Sequence, residues 1–285
     1  MSIHWYPGHM AKARRLLEEN VALVDAVIEL RDARVPLSSA NPLLATIIGN
    51  KLRVIALTKP DLASEQATER IVAHFARLGI VAVKVNPREN RGTKELLKQV
   101  KTLATPLLPR DKAGGQALRG ARIMVAGIPN VGKSTLINAL CGKAAARTGA
   151  LPGVTQAKQW INLPDGTQVL DTPGLLWPRL DDPEVAFRLA VTGAVGEAGF
   201  DVMDLAMKLT LFMATHFPAA LEKHFRLHLA LPFSAEEALL ALGKQRGCLE
   251  AGGRVNLNRA AEILLREFRE GTIGRFTLDN VADHA

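Results

Sequence analysis

The chain has 285 residues, enough for one large domain or two ordinary ones, and apolar residues make up 48% of it. It contains no apolar run near the roughly 18 residues of a membrane helix and no signal-peptide pattern at its start. We therefore expect a cytoplasmic protein without a membrane partner. Cys141 and Cys248 form no CxxC pair, which argues against a cysteine metal site.

Elements of two kinds alternate in the first part of the chain. Short runs rich in Val and Ile predict strands, and segments with apolar residues at helical spacing predict helices. The predicted strands are 24–30, 52–58, 80–85, 122–127, 160–163 and 167–172. The predicted helices are 8–20, 65–78, one capped by Thr93, and 133–142. This alternation predicts an α/β fold with a parallel sheet.

Two changes in pattern indicate the domain organisation. Residues 104–120 contain two prolines, three glycines and no periodicity, and so predict a connector. Strand signals stop after Trp177, and only helical segments follow. These are 183–195, 202–217, 235–243 and 258–270, the last with Asn258 as its N-cap. We expect an α/β domain over residues 1–180 and a helical domain over residues 181–285.

The stretch GIPNVGKST at 127–135 matches a phosphate-binding P-loop, with a predicted strand before it and a helix after it. Its glycines allow several backbone N–H groups to point at one phosphate, and the helix N-terminus adds a favourable field. Lys133 would neutralise phosphate charge, and Ser134 would offer a hydroxyl to Mg²⁺. The predicted nucleotide-binding residues here are Asn130, Val131, Gly132, Lys133, Ser134 and Thr135.

Two downstream segments predict the γ-phosphate end of the site. Asp171, in the DTPG at the end of a strand, is a candidate to hold Mg²⁺ through a water, and the Gly174 N–H could meet the γ-phosphate. Thr155, in the preceding PGVT, could cap Mg²⁺, although an ordinary loop threonine is as good an interpretation of its sequence context. The candidate catalytic groups are therefore Lys133, Thr155 and Gly174.

The stretch TKPD at 58–61 follows a predicted strand and could read a guanine base. The Asp61 carboxylate can accept from both the N1–H and the exocyclic amine of guanine, and adenine offers no such donor pair. The stem of Lys59 could lie along the base, beside Thr58 and Pro60. This loop precedes the P-loop, the reverse of the usual GTPase order. Because both loops need only lie at the carboxyl ends of neighbouring strands, the order predicts a circularly permuted domain.

The ordered set of motifs resembles the ribosome biogenesis GTPase A family (RbgA/YlqF) within the circularly permuted GTPases, over nearly the whole chain. The motifs are YPGHMAKA at 6–13, ELRDARVP at 29–36, TKPD at 58–61, VNP at 85–87, GIPNVGKST at 127–135, PGVT at 152–155, DTPG at 171–174, RGCLEAGG at 246–253 and GRFTLD at 274–279. The resemblance implies a P-loop NTPase three-layer sandwich with a circularly permuted GTPase motif order, followed by an all-α C-terminal domain.

The resemblance also implies an activity and partners. It implies GTP hydrolysis in late assembly of the large (50S) ribosomal subunit, stimulated by that particle. The C-terminal helices would contact 23S-type rRNA, with ribosomal proteins as further partners. Asn86 and Pro87 would lie beside the guanine, and Asn130 resembles an asparagine that helps to bind K⁺. GTP, Mg²⁺ and K⁺ are the expected cofactors, and we expect a monomer.

Two residues depart from common GTPase patterns. Thr58 stands where NKxD has Asn, which predicts modest guanine affinity, and Leu175 stands where many GTPases have a water-positioning Gln. Within the family, His9 resembles the proposed substitute for that Gln, although a lone histidine near a helix start is more often a surface group. Leu175 leaves open a GTP-dependent RNA- or ribosome-binding switch with negligible turnover. A GTPase of tRNA modification or membrane signalling, and an ATPase, are weaker alternatives.

The charge distribution indicates where RNA would bind. The net charge is +8, and residues 84–122 hold ten basic residues against three acidic ones. Residues 200–285 hold ten basic residues against eleven acidic ones. An RNA-binding surface is expected to be basic, so the helical domain would not be the only contact. We expect the surface of 84–122, with Lys12, Arg14 and Arg15, to share it.

Overall fold

A computed structural model describes residues 7–110, 119–142, 159–172, 182–196, 199–226 and 234–279, with side chains from Arg14 onward. Its strands are β1 (Ala26–Asp32), β2 (Leu52–Thr58), β3 (Val81–Val85), β4 (Arg122–Gly127), β5 (Gln159–Asn162) and β6 (Gln168–Asp171). They form one sheet in the order β3-β2-β1-β4-β6-β5, in which only β5 runs antiparallel to its neighbour. This mixed sheet, in which β5 and β6 pair as a hairpin, confirms the α/β prediction.

Five helices accompany the sheet among the described residues. They are α1 (Pro7–Ala22), α2 (Pro42–Ile48), α3 (Glu65–Arg77), α4 (Thr93–Ala104) and α5 (Lys133–Cys141). Leu17 of α1 and Leu44 of α2 pack with Val27, Met124 and Leu170 of the sheet. On the same side, α3 packs its apolar residues against β2. Helices α4 and α5 contact each other and the strands, which completes the three-layer sandwich.

The middle of the sheet is buried on both faces. Every residue of β1 is buried, as expected for a parallel strand covered by helices on each side. Glu29 and Arg31 are charged nonetheless, and they are paired with each other: Arg31 Nε donates to Glu29 Oε1 at 3.0 Å. Arg53 of β2 donates to the other Glu29 oxygen at 2.7 Å. This pairing satisfies charges that would otherwise be costly to bury.

The remaining helices form a second group. They are α6 (Pro183–Val191), α7 (Val202–His216), α8 (Pro218–Phe225), α9 (Ala235–Gln245) and α10 (Leu257–Glu270). Helices α7, α9 and α10 contact one another, and α10 buries Ala261, Leu264, Leu265 and Phe268 along one face. None of the helices within the described ranges is both long and apolar enough to cross a membrane.

The chain divides into two compact units, one of Asp182–Arg275 and one of Ser2–Asp181 with Phe276–Ala285. The end of the chain therefore belongs with the α/β unit, whereas the sequence placed all of 181–285 in the helical domain. The physical reason is pairing with the α/β unit: the Phe276 N–H donates to Leu62 O at 3.1 Å, and the Leu278 N–H to Arg34 O at 2.7 Å. Whether the two units behave as separate domains stays a prediction.

The structure corrects two predicted helix caps. Gly92, with φ of 74°, is the N-cap of α4, and Thr93 is its first residue, with a hydroxyl that donates to Asn90 Oδ1. Asn256, two residues before Asn258, caps α10 by accepting from Arg259 N at 2.9 Å. Helices α2 and α8 were not predicted, because each has at most eight residues and shows little periodicity.

Candidate nucleotide-binding site

The segments that carry the predicted site follow parallel strands in the middle of the sheet. The TKPD loop is at the end of β2, the P-loop follows β4, and Asp171 ends β6. In the strand order β1 lies between β2 and β4, β6 lies next to β4, and all four strands are parallel. Their carboxyl ends therefore meet at one edge of the sheet, where ligands of open α/β sheets bind. This arrangement confirms the permuted order that the sequence predicted.

The backbone of the P-loop needs glycine and left-handed geometry at defined positions. Asn130 has φ of 56° and Gly132 has φ of 107°. At Gly127 a Cβ atom would lie 2.8 Å from Leu30 O and 3.0 Å from Val131 Cγ1. Any larger residue at position 127 would have to push β1 or the loop away. The first glycine of the motif thus allows the loop to lie against the neighbouring strand.

Lys133 begins α5 and is directed back into its own loop. Its Nζ donates to Ile128 O at 2.9 Å and to Gly127 O at 3.3 Å, and the residue is 7% exposed. Burial lowers the pKa of this ammonium to about 8, partly opposed by the negative charge of Asp171. Its hydrogen-bond acceptors among the described residues are neutral carbonyls, which phosphate oxygens could replace, so this ammonium is suited to bind an anion.

Asp171 is buried at the end of β6, and no described residue forms a hydrogen bond with its Oδ1. Burial raises the pKa of this carboxyl, while the charge of Lys133 and a backbone hydrogen bond act in the opposite direction. An unpaired buried carboxylate oxygen is costly unless it has a cation or an ordered water as partner. Asp171 therefore has the chemistry of a magnesium ligand, direct or through water. Ser134 lies in the first turn of α5.

The TKPD loop is joined to the P-loop by two side chains. Thr58 is 1% exposed, and its hydroxyl donates to Val131 O at 2.8 Å. Lys59, in the left-handed conformation with φ of 54°, donates from Nζ to Asn130 O at 3.0 Å. These two bonds fix the TKPD loop against the P-loop. A threonine hydroxyl at position 58 is thus sufficient for this contact with the P-loop, although the NKxD pattern has an Asn amide at this position.

Asp61 lies in a short 3-10 helix, Pro60–Leu62, and its side chain is exposed. Asn86 follows β3 and is 7% exposed, with its backbone paired to Arg91. The carboxyl ends of β2 and β3 are neighbours, since Thr58 is in register with Val85. The structure therefore brings the segment of Asn86 and Pro87 to the same side of the site as TKPD.

Sequence reasoning assigned no role to Asp32, which ends β1 between the two loops. Asp32 Oδ2 accepts from Lys59 Nζ at 2.9 Å and from Arg34 Nη2 at 2.7 Å. Burial alone would raise the pKa of Asp32, but the charges of Arg34 and Lys59 hold it well below its usual range. The sequence showed only a charged residue shortly after a predicted strand, because the position of β1 between β2 and β4 is known from the sheet order alone.

Comparisons with known proteins match part of the chain to a family model and nearly all of it to relatives. Residues 122–212 match the family model described as a 50S ribosome-binding GTPase. Ribosome biogenesis GTPase A of Bacillus cereus is 43% identical over 279 residues, which cover 98% of this chain and 94% of that protein. This chain belongs to the ribosome biogenesis GTPase A family. It is a GTP-binding, GTP-hydrolysing enzyme.

Solved structures resemble this ribosome biogenesis GTPase A family member in fold. A GDP-bound structure of TM YlqF matches with a TM-score of 0.69 and 26% identity, over 94% of this chain and all (100%) of that one. The GNP-bound YlqF of T. maritima matches with a TM-score of 0.65 and 26% identity, over 94% of this chain and 98% of that one. The family model begins at residue 122, so it includes the P-loop but not TKPD, as the permuted order requires.

Several predicted site residues of this GTPase lie outside what the structure describes. Thr155, Gly174 and Leu175 are outside the described residues. His9 lies in the first turn of α1, and its side chain is not described. Their roles remain predictions from the sequence. Within the described ranges, no cluster of three His, Cys, Asp or Glu side chains suits a metal ion.

Proposed function

We propose that this GTPase hydrolyses GTP during late assembly of the large (50S) ribosomal subunit, in the cytoplasm and as a monomer, and that the particle stimulates hydrolysis. The observation that carries the proposal is the meeting of the TKPD loop and the P-loop at one edge of the sheet. The relatives are named for ribosome biogenesis, which supports the assignment to assembly.

We infer that guanine binds at the TKPD side of this edge. Asp61 accepts from the base, Lys59 lies along its plane, and Asn86 and Pro87 border it, next to Thr58 and Pro60. The exposed position of Asp61 supports this role, because the carboxylate is accessible to a ligand. Phosphates then bind the P-loop, whose contributing residues are Asn130, Val131, Gly132, Lys133, Ser134 and Thr135.

We infer that Mg²⁺ binds on the side of the P-loop away from the guanine, next to Asp171 at the end of β6. Ser134 and Asp171 would hold it, with Thr155 as a further ligand in the GTP state, and the unpaired Asp171 Oδ1 supports this assignment. Bound there, the ion would neutralise charge that develops on the phosphates. Asn130 is the proposed K⁺ ligand. Lys133 and the Gly174 N–H would stabilise the γ-phosphate, and His9 would orient the attacking water that Leu175 cannot bind.

The RNA contact would include the outer face of α4. Of the basic residues in 84–122, several are neutralised within the protein: Lys84 pairs with Glu69, Arg91 with Glu89, Lys101 with Asp165 and Arg119 with Asp25. Lys94 and Lys98 lie one turn apart on α4, both exposed, and neither forms an ion pair with a described residue. Arg14 and Arg15 pair with Glu18 and Glu19, which weakens their expected share. We propose Lys94 and Lys98, with the helical unit, as rRNA contacts.

A second candidate function is a GTP-dependent RNA- or ribosome-binding switch with negligible intrinsic turnover. It is favoured by Leu175, which cannot position water. One experiment tests both functions: single-turnover GTP hydrolysis with and without purified large ribosomal subunits, in K⁺ and then in Na⁺. Stimulation by the particle that is lost in Na⁺ is the result expected for the assembly GTPase. Absence of stimulation in both salts would contradict it and favour the switch.

A further inference from the structure

The segment Phe276–Asp279, here called the return segment, lies against the back of the guanine-reading loop. We propose that Asp279 is a positioning residue for guanine recognition, acting through this segment and the loop that follows β1. The inference rests on the proposed guanine site at TKPD. It assigns to the end of the chain a role in base specificity, not in the chemistry at phosphate.

The return segment contacts the guanine-reading turn through its backbone and one hydroxyl. The Phe276 N–H donates to Leu62 O at 3.1 Å, and Leu62 is the last residue of the 3-10 helix that holds Asp61. The Ser64 N–H donates to Thr277 Oγ1 at 3.3 Å. These bonds hold Leu62 and Ser64, which follow Asp61 in the chain. A shift of the return segment would therefore shift the carboxylate that reads the base.

Asp279 anchors the segment. Its Oδ2 accepts from the Leu37 N–H at 2.6 Å and the Ser38 N–H at 2.8 Å, and its Oδ1 accepts from the Ser38 hydroxyl at 2.5 Å. The residue is 6% exposed. Hydrogen bonds to a charged acceptor are the stronger kind, and a buried carboxylate with three donors is a firm attachment point. The Leu278 N–H adds a bond to Arg34 O at 2.7 Å.

The anchored loop also leads to Lys59. The Asp32 N–H donates to Ser39 Oγ at 3.1 Å, next to the two residues that Asp279 holds. Asp32 in turn binds Lys59 Nζ at 2.9 Å. The return segment thus contacts the guanine-reading loop directly at Leu62 and Ser64. It acts on Lys59 only indirectly, because the loop that Asp279 holds also contains Ser39, the hydrogen-bond partner of Asp32. None of these contacts involves Lys133 or Asp171; the one link from them to the P-loop among the described residues is Lys59, which also donates to Asn130 O. We therefore expect the effect on base preference to exceed any effect at the phosphate end.

The test compares affinities of the full-length protein for GDP and for IDP, whose base lacks the exocyclic amine that Asp61 accepts from. We expect Asp279→Ala to weaken GDP binding about fivefold and to reduce the GDP-to-IDP preference by a similar factor. The single-turnover rate at saturating GTP should stay within about twofold of the wild type, because the P-loop contacts are retained. Asp279→Asn keeps one acceptor oxygen, and its GDP-to-IDP preference should lie between those of the wild type and Asp279→Ala.

Two further variants separate positioning from folding. Asp201→Ala removes a carboxylate that caps α7 in the helical unit, where Asp201 accepts from Asp204 N at 2.8 Å, and it should leave the GDP-to-IDP preference unchanged. Thr277→Val removes the bond to Ser64 without a buried charge change, and it should reduce the preference even if Asp279→Ala fails to fold.

The outcomes distinguish this inference from the function on which it rests. A wild-type protein that binds GDP and IDP equally would refute the guanine site itself. A wild-type preference that persists in Asp279→Ala, or in Thr277→Val if Asp279→Ala does not fold, would refute the positioning role alone. A lower melting temperature with unchanged preference would show that the return segment serves stability only.

Discussion

Asp61 and Lys133 are the residues that we propose for the base end and the phosphate end of the nucleotide site, and their surroundings differ. Asp61 is exposed on a short turn, where a base can reach it, whereas Lys133 is 7% exposed and bound to carbonyls of its own loop. Thr58 and Lys59 connect these ends by bonds to Val131 O and Asn130 O. Substitutions at the two ends can therefore be told apart: one at Asp61 should change base preference, and one at Lys133 should change phosphate binding.

Replacement of Asp61 by Asn should change base preference and little else. The amide offers a donor where guanine has donors and xanthine has an acceptor, so GDP affinity should fall by about 100-fold or more while XDP affinity rises. Titration with both diphosphates, and with ADP as a control, measures this. Equal loss of affinity for GDP and XDP would contradict the assignment of Asp61 to the base.

The buried ammonium of Lys133 should make stability depend on pH in a defined window. Its pKa is lowered by burial to about 8 from an ordinary value of 10.5. Below pH 8 the folded and unfolded chains both hold the proton, and the burial cost is present in full. Between pH 8 and 10.5 only the unfolded chain still holds it, so the free energy of unfolding rises with pH.

We expect this contribution to reach up to about 3 kcal/mol across the window. It is measured as the difference between the wild type and Lys133→Met in urea unfolding without nucleotide, at pH 7.5 and at pH 10, because other lysines cancel in that difference. If the free energies of unfolding of the two proteins changed with pH in parallel, the pKa of Lys133 would not be lowered in the folded chain.

At the scale of single elements, α10 shows how a helix start is decided by hydrogen bonding. Asn256 Oδ1 accepts from Arg259 N at 2.9 Å, and its Nδ2 donates to Glu250 Oε1 at 2.7 Å. Asn258 is exposed inside the first turn. Asn256→Ala should lower the free energy of unfolding by about 1 kcal/mol, and Asn258→Ala should leave it nearly unchanged. Urea midpoints compare them, and a larger loss for Asn258→Ala would contradict the observed cap.

The face of α4 can be tested by charge reversal against a matched control. Lys94→Glu with Lys98→Glu should weaken binding to large ribosomal subunits and reduce the slope of log affinity against log salt by about 1.5. Arg70→Glu with Arg77→Glu on α3 makes the same change in charge on another exposed helix of the same unit. Similar losses in both pairs would show a general charge effect instead of a contact at α4.

At the scale of the whole molecule, the helical unit of Asp182–Arg275 interrupts an α/β unit that the end of the chain completes. All the described nucleotide-site residues lie in the α/β unit. Mg²⁺ and GDP at about 100 times the dissociation constant should therefore stabilise that unit by about 2.7 kcal/mol. Hydrogen exchange should show this increase in β1, β2 and β4 but not in α7 and α10. Equal protection of both units would show that they unfold together.

The sequence by itself determined the elements and the chemistry of the loops. Strands β2 and β4 were predicted at their observed bounds, because a compact run of Val, Ile and Leu between polar residues leaves few alternatives. The P-loop and TKPD were recognised because glycine, lysine and aspartate at these spacings suit phosphate and guanine. The short helix α2 was not predicted, and the cap of α10 was predicted two residues too late, since local patterns fix boundaries weakly.

The tertiary structure alone decided which distant residues meet. Nothing local in the sequence pairs Asp32 with Lys59. Nor does it attach Asp279 to Leu37 and Ser38, about 240 residues earlier in the chain. Parallel strand order and burial bring such groups together, and burial then requires each charge to have a partner. The same burial leaves Asp171 Oδ1 without a hydrogen-bond partner among the described residues and lowers the pKa of Lys133. A nucleotide site depends on these environments, which exist only in the folded chain.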